Sequence, residues 1–169
     1  MQYLRTVRPV RNAVARSRYT VPLAASYGPP PGEVADPPRT DLVKYGEYLA
    51  GPVAHCIDCH TPHGADGRPD LTRLGAGGMP FRGPWGTSYA ANLTPDPETG
   101  LGRLNDGQII AAIYGIRRDG HRVLPPMPSA YYAAGIDADD IRALLAYIRS
   151  LPPVRNPVPP PEPPAAARH

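Results

Sequence analysis

The sequence predicts an all-α domain with few helices, whose long loops wrap a bound cofactor. Three observations carry this reading. Capped segments with helical apolar spacing begin at Thr40, Asn105 and Asp137, and no strand signal of comparable strength stands beside them. Residues 52–104 lack a long periodic segment and are broken by Gly64, Gly67, Gly75, Gly77, Gly78, Gly83 and Gly86. A loop region of that length inside a small domain makes sense if it surrounds something. Finally, 15 of the 25 prolines fall in residues 1–40 and 152–169, whereas 15 of the 17 glycines lie between residues 41 and 151. The expected organisation is an extended Arg/Pro-rich arm over 1–40, a folded domain over 41–151 and a disordered Pro/Ala-rich tail over 152–169.

The arm carries Arg5, Arg8, Arg11, Arg16 and Arg18 with no acid before Glu33, and Pro29-Pro30-Pro31 favours extended backbone. The formal net charge of +3 comes from the ends of the chain, because residues 41–151 hold ten basic and twelve acidic side chains. The domain has no basic stripe and only one Trp and one Phe, which argues against nucleic acid as a partner.

The first helix is expected to start at Thr40 as N-cap, with Asp41 at the positive end of the helix dipole. Leu42, Tyr45, Tyr48 and Leu49 give it an apolar side, and Gly51-Pro52 should end it. Asn105 and Gln108 have capping-box spacing at the head of the second helix. Its apolar face is expected to comprise Ile109, Ile110, Ile113 and Ile116, before a turn at Asp119-Gly120. Asp137 heads the third, with Ile136 and Ile141 at staple positions. Leu144, Leu145 and Ile148 extend that face, and Pro152-Pro153 stops it.

Chemistry concentrates in His55-Cys56-Ile57-Asp58-Cys59-His60. Cys-x-x-Cys-His is the attachment pattern of c-type haem. Two cysteines three apart on a helical turn project to one side, where each thiol can add to a haem vinyl group. The following His60 then turns its imidazole to the iron, and its second ring nitrogen needs an acceptor. Cys56 and Cys59 are the only cysteines. The rival is zinc, since His55, His60 and His63 crowd the pair, although a structural zinc site usually draws its second half from a separate segment. For the opposite face of the iron, Met127 lies in Leu124-Pro125-Pro126-Met127-Pro128, where prolines stiffen the loop that presents the sulfur. Met79 sits in a looser setting and reads as packing; His121 is the second candidate ligand.

The stretches Asn92-Leu93-Thr94-Pro95-Asp96, Thr99-Gly100-Leu101-Gly102 and Leu124-Pro125-Pro126-Met127-Pro128 resemble class I cytochrome c domains of bacterial dehydrogenase subunits. The cytochrome subunits of membrane-bound alcohol and gluconate dehydrogenases are such a group. The resemblance spans roughly residues 41–155. It implies a cytochrome c-like fold with crossing terminal helices, one covalently bound haem c on Cys56 and Cys59, and His60 and Met127 as axial ligands. The large subunits of that group carry three attachment motifs and this chain carries one, so it resembles a single-haem relative.

Trp85, Tyr89 and Asn92 stand in the loop expected to cover the haem edge, where they would pack on the porphyrin or bond its propionates, and Arg82 could pair with a propionate. The expected function is single-electron transfer rather than catalysis, from a periplasmic or membrane-bound dehydrogenase toward the respiratory chain. Its redox partner would be a dehydrogenase subunit, a quinol-linked complex or a terminal oxidase. The alternatives are a haem enzyme or gas sensor with an open iron site, and a zinc-stabilised interaction module. No apolar run approaches 18 residues and no signal-peptide core is visible. Because c-type haem is attached outside the cytoplasm, the expectation is a periplasmic or periplasm-facing protein whose export signal or anchor lies upstream of Met1.

Overall fold

The computed structural model describes residues 2–20, 32, 35 and 37–164, in two compact units, 1–35 and 36–169. In the first unit Gln2–Thr6 form a single helical turn, α1. This departs from the extended arm expected there: no proline occurs before Pro9, so nothing prevents a turn at the start. The Pro29-Pro30-Pro31 run lies outside the described residues.

The second unit is all-α in its framework. Its helices are α2 (Leu42–Tyr48), α3 (Cys56–His60), α4 (Asp106–Ile113), α5 (Ser129–Gly135) and α6 (Ala138–Ser150), joined by long loops. The cap of α2 is Asp41 rather than Thr40: its Oδ1 accepts from Lys44 N at 3.1 Å, satisfying a first-turn donor. Gly51-Pro52 does not stop the chain. Leu49–Val53 continue as a π-helical turn that contains Pro52, and Ala54 N donates to Leu49 O at 2.8 Å. Asp137 caps α6 by accepting from Asp139 N and Asp140 N, and those two acids complement the dipole at its first turn.

The core lies where α2 and α6 cross. Tyr45, Leu49 and Ala50 meet Ile141, Ala143, Leu144, Leu145, Tyr147 and Leu151, with Ile109 from α4. Each fully buried Leu or Ile here contributes roughly 1.5–3 kcal/mol. At the crossing Gly46 leaves no space between the backbones: a Cβ placed there would lie 2.0 Å from Ala143 O. The Tyr45 hydroxyl donates to Asp140 Oδ1 at 2.8 Å, and the Arg39 guanidinium sits 4.8 Å over the Tyr45 ring.

The capping box of α4 forms as expected, with Gln108 N donating to Asn105 Oδ1 and Asn105 N to Gln108 Oε1. Ile116 is not part of its apolar face. The helix ends at Ile113, Gly115 adopts φ +101°, and Ile116 lies beyond it, 44% exposed.

Two features have no counterpart in the sequence pattern. Pro80–Gly83 (β1) and Gly86–Tyr89 (β2) form a small antiparallel hairpin with Phe81 opposite Ser88; strands of four residues are too short to show alternation. The short α5 carries no apolar periodicity either.

Residues 152–164 correct the expectation of a disordered tail. They run back over the loops as an extended strap. Val154 O accepts from Asn92 Nδ2 at 2.8 Å, Asn156 N donates to Thr99 Oγ1 at 2.9 Å, and Asn156 Nδ2 donates to Ala76 O at 2.8 Å. Glu162 and Thr87 exchange both backbone hydrogen bonds, so the strap pairs with β2. Prolines lack donors, but they hold the backbone extended, which suits carbonyls and a few polar side chains for docking along a surface. The last five residues lie outside the described residues.

One turn under the strap predicts a pH response. Asp96 Oδ1 accepts from Thr99 N at 2.6 Å, from Thr99 Oγ1 at 2.8 Å and from Glu98 N at 3.1 Å. These bonds, that from the Thr99 N–H foremost, hold the carboxyl below the usual carboxylate range. A depressed folded-state pKa stabilises the protein above the unfolded value, and that stability is lost as pH falls through the folded value. Asp96→Asn should therefore flatten the acid limb of a urea-stability profile; an unchanged limb would count against this role.

Candidate functional site

The Cys-x-x-Cys-His segment is positioned by what precedes it. The π-helical turn delivers the chain to His55, which adopts left-handed backbone at φ +56° and so redirects it into α3. His55 Nδ1 lies 2.7 Å from Asp58 Oδ2, spanning the first turn of that helix. Both cysteines are free thiols, Cys56 half-buried and Cys59 exposed. Burial pushes the Cys56 thiol up to about 11, and burial followed by the Asp58 charge raises that of Cys59.

His60 has a defined tautomer. Its Nδ1 stands 2.7 Å from Ala91 O, and a carbonyl can only accept, so Nδ1 carries the proton. Nε2 then presents a lone pair. Burial lowers the pKa of the ring, opposed by the Ala91 bond, and favours the neutral form. A neutral imidazole oriented through its second nitrogen is what a metal ligand requires.

The Ala91 carbonyl is itself held firmly. Gly77 N donates to His60 O at 2.7 Å, Gly78 N to Ala90 O, Ala90 N to Met79 O and Leu93 N to Gly75 O. Asn92, 2% exposed, donates to Thr99 Oγ1 and Val154 O and accepts from Thr94 N and Thr94 Oγ1. Its polar atoms are thus occupied within the protein, next to the carbonyl that orients His60. The Tyr89 hydroxyl donates to Glu162 Oε1 at 2.8 Å and ties the hairpin to the strap. Trp85 differs from both. Its indole lies against Gly83 at the tip of the hairpin, and its Nε1 is buried without an acceptor among the described residues.

Met127 is half-buried, and its loop is fastened on both sides. Upstream, Ser88 Oγ donates to Pro125 O at 2.6 Å. Downstream, the Tyr132 hydroxyl donates to Ala54 O at 2.6 Å, two residues before Cys56. Burial, then the neighbouring Cys56 and Cys59, raise the Tyr132 pKa to about 12. The loop is therefore bound to the hairpin at one end and to the cysteine segment at the other. Met79 lines an open cavity of about 310 Å³ with His63, Arg73 and Asn156. His121 is 80% exposed on a turn, beside Asp119. Arg82 is exposed.

A zinc set does not assemble. Among the described residues no three His, Cys, Asp or Glu side chains converge, since His55 is turned to Asp58 and His63 to Thr61 O. Sequence reasoning misses Ala91, Ser88 and the strap. Ala91 acts through its backbone, which no side-chain pattern reveals.

Comparison with known proteins identifies the family. Residues 43–152 match the family model described as Cytochrome c. The chain is 40% identical over 126 residues to the cytochrome c subunit of the quinone alcohol dehydrogenase of Gluconobacter oxydans, covering 74% of this chain and 24% of that protein. It is 40% identical over 116 residues to the gluconate 2-dehydrogenase cytochrome c subunit of Pantoea cypripedii, covering 68% and 24%. The fructose dehydrogenase cytochrome subunit of Gluconobacter japonicus is 30% identical over 121 residues, covering 70% and 24%. The chain thus spans about a quarter of the length of these relatives.

Proposed function

The chain belongs to the cytochrome c family of electron-transfer proteins, and from that premise we propose that Cys56, Cys59, His60 and Met127 would hold one haem c, the cysteines covalently and His60 and Met127 as iron ligands. It would pass single electrons from a dehydrogenase on the periplasmic side toward the respiratory chain. The observation that carries the site assignment is the Nδ1–H of His60 on Ala91 O, which leaves Nε2 free to ligate.

The remaining residues fit such a group. The unpartnered Trp85 Nε1–H is a donor awaiting an acceptor, and a haem propionate is one. Cys56 and Cys59 stand on one helical turn as free thiols. Haem c, when bound, supplies reversible one-electron exchange at its iron. The chain's own part is to hold and orient. Ala91 fixes the His60 ring, Asn92 braces Ala91, and Ser88 and Tyr132 fix the Met127 loop from both ends. We take the cofactor-bearing unit as residues 41–164, since the strap to Pro164 braces the same loops. The dehydrogenase link follows from the relatives' names, and a position outside the cytoplasm from the attachment chemistry. No described helix is long and apolar enough to cross a membrane.

The test is to produce the chain with a c-haem assembly system. One haem per chain should survive denaturation, and the pyridine haemochrome should report two thioether bonds. Cys56→Ala or Cys59→Ala should leave one. A colourless protein that retains zinc would overturn the assignment.

A further inference from the structure

We propose that residues 4–19 are a docking segment for the surface of an anionic phospholipid bilayer. The inference goes beyond electron transfer and rests on a different part of the chain, since the family match begins at residue 43. Charge sets the segment apart. Arg5, Arg8, Arg11, Arg16 and Arg18 put five cations within 14 residues, no acid occurs before Glu33, and no stretch of that length elsewhere in the chain is so charged. Every residue from 4 to 20 is exposed, and these five guanidinium groups have no hydrogen-bond or ion-pair partner among the described residues. In residues 41–151, by contrast, twelve acids oppose ten bases, and five of those bases are ion-paired: Lys44, Arg68, Arg117, Arg142 and Arg149. That unit has no net attraction for an anionic surface, so binding falls to the segment.

The apolar residues decide which polyanion it takes. Leu4-Arg5, Val7-Arg8 and Val10-Arg11 repeat an apolar–Arg pair every three residues, and Val14 and Tyr19 continue the mixture. Leu4, Val7, Val10, Val14 and Tyr19 are 53–84% exposed. Nucleic acid would pair the guanidinium groups and leave these side chains in water. The headgroup region of a bilayer takes both kinds: phosphates accept from Arg, while Leu, Val and the Tyr ring reach the acyl boundary. Shape argues the same way. A folded acidic protein binds through a complementary surface, which needs a segment of defined form. Here α1 ends at Thr6, and from there to residue 20 the segment holds neither helix nor strand. Pro9, which lacks a backbone donor, opposes extension of the helix. A laterally fluid lipid surface rearranges around whatever backbone it meets and requires no such form. Each guanidinium group near anionic lipid strengthens partitioning about fivefold.

The experiment is sedimentation of the full-length holoprotein with vesicles of phosphatidylglycerol and phosphatidylcholine in equal parts, and with vesicles of phosphatidylcholine alone. At low ionic strength the protein should pellet with the first and stay in solution with the second, and salt should release it. An R5Q/R8Q/R11Q variant should bind about a hundredfold more weakly. An L4S/Y19S variant keeps every charge and should still bind about tenfold more weakly, because the apolar contribution is lost. Arg103→Gln removes an exposed cation of the other unit and should leave binding as it is. The proposal is overturned if the parent ignores the anionic vesicles or binds both kinds equally, if R5Q/R8Q/R11Q binds as the parent does, or if Arg103→Gln weakens binding as much as Arg8→Gln. Undiminished binding by L4S/Y19S also overturns it, and would assign the segment to a soluble polyanion such as nucleic acid or an acidic protein. Protein in the pellet is measured by electrophoresis and not by haem colour, so the result stands apart from the haem assignment.

Discussion

Met127→Ala is expected to convert a six-coordinate, low-spin haem protein into one with an open axial position. The reduced spectrum should lose its sharp low-spin bands, carbon monoxide should bind readily, and the reduction potential should fall, because thioether ligation raises it. The way the loop is held sets this outcome. Ser88 Oγ on Pro125 O and Tyr132 on Ala54 O fix the two ends, and these anchors do not involve the Met127 side chain. The variant should therefore keep its fold and its covalent haem and lose only the ligand. Met79→Ala, altering a residue that lines the cavity beside His63 and Asn156, should leave the spectrum as it was. If Met127→Ala retains low-spin bands, another side chain supplies the sixth ligand. In that event the stiff proline frame of residues 125–128 has some other purpose.

The parts of this molecule that are legible in the sequence are those written in side chains at short spacing. The capping box of Asn105 and Gln108, the Asp137 cap and the Cys56–Cys59–His60 turn each occupy a few consecutive residues and can be read directly. What escapes depends on backbone groups brought together over long separations. The acceptor for His60 is a carbonyl 31 residues away, and it is braced by Val154, 62 residues beyond Asn92. Nothing in a local window connects these. The strap escapes for a related reason. Proline-rich composition signals a chain that cannot build its own core, but not whether it lies on another one. Ile116 shows the opposite failure, because helical spacing continues one step past the glycine at which the helix has ended.

The same long-range dependence makes Gly46 the most sensitive position outside the site. A glycine inside a helix costs about 0.5–1 kcal/mol relative to alanine, so Gly46→Ala on an isolated helix would be a gain. In the folded protein the new Cβ would lie 2.0 Å from Ala143 O and 2.7 Å from Tyr147 Cβ. The first of these is backbone and cannot rotate away, so α2 and α6 must separate. Overpacking in a core usually costs about 1–3 kcal/mol. Here the interface that must open also buries Tyr45, Leu49, Leu144 and Ile148, and the expected loss is about 3 kcal/mol or more. Gly46→Val should exceed that and prevent stable folding, since a domain of this size has only about 5–15 kcal/mol to lose. Gly107→Ala is the contrasting case: a Cβ there meets nothing closer than Asn105 Oδ1 at 3.4 Å, so the intrinsic gain should be kept. Urea denaturation of the two variants should therefore move in opposite directions, and a neutral Gly46→Ala would show that the two helices do not cross this closely. The consequence extends to function, because α2 leads through the π-helical turn into Cys56, and α6 leads into the strap that braces Asn92 and Ala91. Forcing the two helices apart disturbs the cysteine turn and the His60 acceptor together, so Gly46→Ala should lower the yield of covalently attached haem as well as the midpoint of unfolding.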